Sequence, residues 1–147
     1  MRSRRMDPAD DIEKVLTDLG IEEFARISRL GRMIRVEISY DPLHQERESL
    51  LNFKSRLKRL GSRGDTVGKH LIQQIEYFIE RLDRVTLEKV LVTIASSDGI
   101  RKLEKQLISI QKEMEEKQRK AREMKRLVRS LSSYIREYLR NAGEDSF

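Results

Sequence analysis

The chain contains no cysteine and no tryptophan. Without thiols there is no disulfide framework, no thiolate metal site and no cysteine nucleophile, and a reducing compartment is permitted. Aromatic residues are scarce, with four Tyr and four Phe in 147 positions, and no aromatic pair, zinc-finger spacing or RNP-type motif offers a base-reading surface. The longest apolar stretch, Val90 to Ala95, falls far short of the ~20 residues that a bilayer-spanning helix needs. The basic start, Met1-Arg2-Ser3-Arg4-Arg5, leads into acids rather than an apolar core. A secretory signal is therefore not expected, and an intracellular location (cytoplasm, or nucleoid or nucleus) is.

Charge is what the chain has in abundance. Charged residues make up 38%, against about a quarter in an average protein, as suits exposed helix faces. The net charge of +6 is unevenly spread. Asp7 to Glu23 holds seven acids and one Lys; Lys54 to Lys69 holds six bases and Asp65; Lys117 to Arg129 holds seven bases and Glu123. Arg26, Arg29, Arg32 and Arg35 add four cations with no acid among them. Such asymmetry attracts nucleic acid or anionic lipid, or pairs the acidic start of one subunit with a basic stretch of another.

The two prolines each follow an aspartate, and Asp7-Pro8 and Asp41-Pro42 both read as helix openings, with Asp as N-cap and Pro at the first helical position. Behind the first, Ile12, Val15, Leu16 and Leu19 form one stripe that Gly20 ends. Ile21 to Leu30 is ambiguous. Ile34, Val36, Ile38 and Tyr40 alternate with polar residues, the only strand signal that the sequence gives. Either residues 24–30 fold back around Gly31 as a hairpin, or the strand pairs with its mate in a dimer. Behind Asp41-Pro42, Leu43, Leu50, Phe53, Leu57 and Leu60 line a helix face. Gly61-Ser62-Arg63-Gly64 is a loop, and Asp65 or Thr66 caps a helix with the stripe Val67, Leu71, Ile75, Phe78, Ile79, Leu82. Val90, Leu91 and Ile94 are expected to lie on a short separate helix or on a kinked continuation of the one before. Ser96 to Gly99 is a capping turn.

From Ile100 to Tyr138 a seven-residue repeat persists. One series is Ile100, Leu107, Met114, Ala121, Val128, Ile135; the other is Leu103, Ile110, Lys117, Met124, Leu131, Tyr138. This spacing marks a helix lying along another helix, roughly 60 Å long at 1.5 Å per residue. The repeat is expected to form an oligomerisation seam through Ile100, Leu103, Leu107, Ile110, Met114, Met124, Val128, Leu131, Ile135 and Tyr138. One or both ends of the helix are expected to pack in a bundle while the thinner, more polar middle bridges them; the alternative is a single long helix packed wholly on the shorter helices of its own domain.

No catalytic pattern appears. Gly64 to Lys69 looks superficially like a phosphate loop, but Arg63 stands where the first Gly belongs and His70 replaces the hydroxyl residue. Arg63-Gly64-Asp65 spells an adhesion tripeptide by chance. His44 and His70 have no convergent ligands, so neither a metal nor another cofactor is expected. No nucleophile elbow or paired-carboxylate pattern suggests an enzyme. The basic clusters carry the functional reading. Lys54, Arg56, Lys58, Arg59, Arg63 and Lys69, with Arg119, Lys120 and Arg122 as a second group, are the candidate phosphate contacts. Arg outnumbers Lys, 20 to 11, and guanidinium suits bidentate phosphate contact.

The sequence thus predicts a mainly α protein. Residues 1–96 are expected to form a small domain of short helices, with one β-strand or ribbon near residues 33–40. A long C-terminal coiled-coil helix over 97–142 and a frayed tail, 143–147, follow. It would assemble with itself or another coiled-coil protein and bind nucleic acid without sequence preference, a membrane being disfavoured for want of aromatic anchors. The alternative is a structural adaptor that docks other proteins on Leu131, Tyr134, Tyr138 and Leu139.

Overall fold

The computed structural model describes residues 7–60 and 66–143. The fold is mainly α, with a long C-terminal helix and a three-stranded antiparallel sheet. Its contacts separate into two compact units, one comprising residues 1–40 and 87–117, the other 41–86 and 118–147. The boundary falls inside the long helix, which gives its first half to one unit and its second half to the other.

The first unit is built on the sheet. Helix α1 (Pro8–Leu19) opens as expected, with Asp7 Oδ1 accepting the Ala9 N–H at 3.0 Å. It closes at Gly20, whose φ of 73° is a left-handed conformation that glycine adopts without a Cβ clash. A short 3-10 turn, Glu22–Phe24, leads into β1 (Ala25–Leu30) and β2 (Met33–Tyr40). These pair antiparallel across a two-residue turn, with Leu30 opposite Met33. Gly31 at φ 60° takes the first turn position, the arrangement that matches strand twist in tight hairpins. The hairpin is thus the one of the two expected pairings that the chain adopts. Ile34, Val36, Ile38 and Tyr40 are buried, while Arg35 and Ser39 between them are exposed.

Strand β3 (Leu87–Ile94) corrects the sequence reading, which expected a short helix there. It pairs antiparallel with β2, giving the order β1-β2-β3. Its outward positions Val90, Val92 and Ile94 are apolar and exposed, so the polar–apolar alternation that marks a strand is absent. What remains is β-branched content, which favours extended backbone. Helix α4 (Ser97–Asn141) begins directly after it, and Ser96 Oγ accepts the Gly99 N–H at 3.1 Å. One core joins Ile12 and Leu16 of α1, the inward residues of β2, Leu87, and Leu103, Leu107, Ile110 and Met114 of α4.

The second unit is helical. Helix α2 (His44–Leu60) buries Leu50, Phe53 and Leu57, and α3 (Thr66–Asp83) buries Leu71, Ile75 and Leu82. They share a core with Ala121, Met124, Val128, Ile135 and Leu139 of α4. The Lys125 ammonium lies 3.6 Å from Glu46, and Arg136 sits over the Phe53 ring at 5.6 Å. Residue numbers on both helices rise together, so α4 runs parallel to α2. Arg47 ties the start of α2 to the end of α3. Its Nη1 donates to Asp41 Oδ2 at 2.8 Å and its Nε lies 3.0 Å from Asp83 Oδ1. The hydrogen bond to Asp41, with the field of both carboxylates, outweighs burial and holds the guanidinium pKa above its ordinary value.

The seven-residue repeat finds its partners within the chain. Leu103, Leu107, Ile110 and Met114 are buried in the sheet unit, with Ile100 packed against them. Met124, Val128 and Ile135 are buried in the helical unit, with Leu131 and Tyr138 packed against them. A 3.5-residue spacing records that one helix stripe is covered, and a sheet and two helices cover it as well as a second coiled-coil strand would. Both ends of α4 pack, each on elements of its own chain.

Candidate nucleic-acid interface

Helix α4 carries an apolar seam and, roughly opposite to it, a basic stripe. In the second half the seam is Ala121, Met124, Val128, Leu131, Ile135, Tyr138. Stepping by threes and fours along another face gives Arg119, Arg122, Arg126, Arg129, Ser133, Arg136, Arg140. All six arginines of this series are exposed and no acid occupies a position in it. At 1.5 Å per residue the stripe is about 30 Å long. Burial of the seam in the helical core turns the stripe to solvent. Arg119, Arg122 and Arg126 line one shallow hollow with Glu123 and Leu127.

Further along, the stripe borders α2. Arg129 and Arg136 line a groove with Glu46, Ser49, Ser132 and Ser133. Arg136 also faces Asn52, Phe53 and Arg56 across an adjoining hollow of about 420 Å³. Hydroxyl and amide groups between guanidinium groups are the donor set that tracks a phosphate backbone. Of the acids nearby, Glu46 is engaged by Lys125, and Glu48 lines the hollow beside Arg56 and Arg136. The stacking of Arg136 on Phe53 limits its rotamers, so less freedom is lost when it binds an anion.

The residues expected from the sequence fall in three groups. Arg119 and Arg122 lie on the stripe, and Lys120 is exposed beside it. On α2, Arg56 borders the groove, Lys54 is half-buried with its ammonium 3.8 Å from Glu76, and Lys58 and Arg59 are exposed in the last turn. Cations there also complement the carbonyl end of the helix dipole. Lys69 is exposed on the first turn of α3. Arg63 and the Gly61–Gly64 loop lie outside the described residues. Because α4 runs parallel to α2, Arg119 and Arg122 stand at the end of the unit where α2 begins, and Lys58 and Arg59 at the other. Arg126, Arg129, Arg136 and Arg140 occupy the length between. From sequence the basic run Lys117–Arg129, which includes Arg126 and Arg129, reads as surrounding the helix, and none of these four enters the expected site; their spacing of three and four residues is the signal that they share one face.

Among the described residues no three His, Asp or Glu side chains gather as a metal would require, and no helix is long and apolar enough to cross a membrane. Tyr134 and Leu127 are exposed on α4, while Leu139 is buried and Leu131 and Tyr138 pack against the core. Comparison with protein families, with curated proteins and with solved structures finds no match.

Proposed function

We propose that the helical unit binds nucleic acid through its phosphate backbone, without reading sequence. The observation that carries this is the arginine stripe: six exposed guanidinium groups, with no acid among them, along about six turns of one helix. Charge placement supports it. The sheet unit holds 14 bases and 14 acids, whereas the helical unit holds 17 and 11 and so carries the whole net charge of +6. Guanidinium groups spaced along a rigid rod suit a repeating polyanion better than a single small anion. The stripe has no aromatic side chain on which a base could stack, and its evenly spaced guanidinium groups match the repeat of a phosphate backbone, so the affinity rests on counterion release.

The test is fluorescence anisotropy with labelled double-stranded DNA and single-stranded RNA at ~50 and ~200 mM salt, a range over which several phosphate contacts cost orders of magnitude in affinity. Binding that collapses with salt, and weakens when Arg122, Arg126 and Arg129 become Glu, supports the reading. Equal binding at both salt concentrations overturns it.

A further inference from the structure

The sheet unit has two edges, and they are finished differently. The edge strand β1 carries Arg26 and Arg29 within its six residues, the kind of charge that keeps an edge from pairing with other chains. The edge strand β3 has no charged residue from Val90 to Ile94. It pairs with β2 along one side, and on the solvent face of the sheet Val90, Val92 and Ile94 are 56%, 55% and 52% exposed. Antiparallel register places them beside Glu37, Arg35 and Met33, and Leu30, 84% exposed, completes the row beyond Met33. Glu88 and Lys89 charge the first half of β3, whereas its last five residues, Val90 to Ile94, form an uncharged, largely apolar edge segment whose backbone donors and acceptors are open to a partner strand.

We infer that β3 pairs antiparallel with β3 of a second copy of this chain, joining two three-stranded sheets into one of six. The best register centres the two-fold axis on Val92. Val92 then faces its own copy, Val90 faces Ile94, and Leu91 faces Thr93. Directly opposite residues of antiparallel strands share a face, so six β-branched side chains close into one row of cross-strand pairs. The pairing is confined to Val90–Ile94, because β3 ends at Ile94 and Ala95 and Ser96 bend into α4; Glu88 and Lys89 therefore meet no like charge across the axis. The unit as a whole is neutral, with 14 bases and 14 acids, so two copies approach through it without net repulsion, as they could not through the +6 unit. The covered area belongs to the small class of interfaces, below about 1,200 Å². Main-chain hydrogen bonds, with the apolar row beside them, supply the affinity, as in other strand additions. This contact is independent of the nucleic-acid reading; if both hold, each dimer carries two arginine stripes.

Two measurements test it on the whole chain. Sedimentation equilibrium from low micromolar to several hundred micromolar should show the mass rising from one chain to two, whereas a single-chain mass throughout overturns the proposal. Val92→Lys, which sets two ammonium groups against each other on the axis, should hold the protein at one chain. Leu30→Lys, on the same face but the far strand, should leave the dimer intact; if it dissociates the dimer equally, the sheets stack face to face and edge pairing is wrong. Because the chain has no thiol of its own, Val92→Cys adds a readout that does not depend on loss of function. Opposite residues of an antiparallel pair lie about 4.5–5.5 Å apart at Cα, within disulfide reach. Mild oxidation should link the Val92→Cys chains as dimers much faster than the Leu30→Cys chains, and equal rates overturn the register.

Discussion

The two halves of α4 are one helix with two characters. From Ser97 to Lys117 it has five bases and five acids, and four of those bases are Lys. From Gln118 to Asn141 it has eight bases and two acids, and six of those bases are Arg. The positions that continue the arginine stripe back into the first half hold Glu115, Lys112, Ile108, Lys105 and Arg101. The apolar seam behind them runs through both halves and is broken only by Lys117. Packing therefore asks the same of each half, and the difference on the solvent side has no origin in the core. A seam fixes which face is hidden and leaves the other open to selection, and the open face differs only where the helical unit begins. The same contrast separates the units. One is neutral and exposes an apolar strand; the other is cationic and exposes a row of guanidinium groups.

The contrast can be broken from either side, beginning with the largest effects. Leu107→Ala in the sheet unit and Leu50→Ala in the helical unit each remove a fully buried side chain, and each should cost about 2–5 kcal/mol in urea denaturation. Under conditions where both variants remain folded, Leu107→Ala should leave the salt dependence of nucleic-acid binding intact; a changed dependence would mean that the sheet unit shapes the interface. Reversing Arg122, Arg126 and Arg129 to Glu should weaken binding by at least ~100-fold, about 2.7 kcal/mol. The matched reversal of Arg101, Lys105 and Lys112 in the first half should change it only a few-fold. Equal losses from the two triples would erase the distinction between the halves.

Smaller effects probe what holds each unit together. Arg47→Met leaves Asp41 and Asp83 without their cation at the α2–α3 junction, and should lower stability by about 1–3 kcal/mol with no change in the salt slope. Asp7→Ala removes the N-cap of α1 and its ion pair with Arg29. It should cost about 1 kcal/mol by thermal denaturation, confined to the sheet unit, so the anisotropy titration should not move.

Much of this architecture is legible in the sequence where local chemistry decides it. Asp7-Pro8 and Gly20 bracket α1 because caps and a left-handed glycine are local requirements. The alternation from Ile34 to Tyr40 marks β2 because one face is buried and the other polar. Strand β3 is illegible for the reason that makes it of interest. Its outward residues are apolar, so the alternation that reveals a strand is erased and a short helix fits the letters as well. The seam of α4 was legible as a covered stripe, but no periodicity tells whether a sheet, a helix or a second chain provides the cover. The candidate site divides in the same way. Arg119, Arg122, Arg126 and Arg129 all belong to one charge run, while Arg136 and Arg140 lie beyond it and require the phase of the helix. That phase became useful only once burial of Met124 and Val128 showed which face turns outward.

The most direct test of the central claim is the slope of log affinity against log salt for duplex DNA, measured for the native chain and for the Arg122→Ala, Arg126→Ala, Arg129→Ala variant. Each phosphate neutralised contributes about −0.9 to the slope. Engagement of the whole stripe predicts a native slope near −5, and loss of three arginines should make it shallower by about 2.7. A slope that is the same in both proteins would place the phosphate contacts elsewhere and contradict the role given to the stripe.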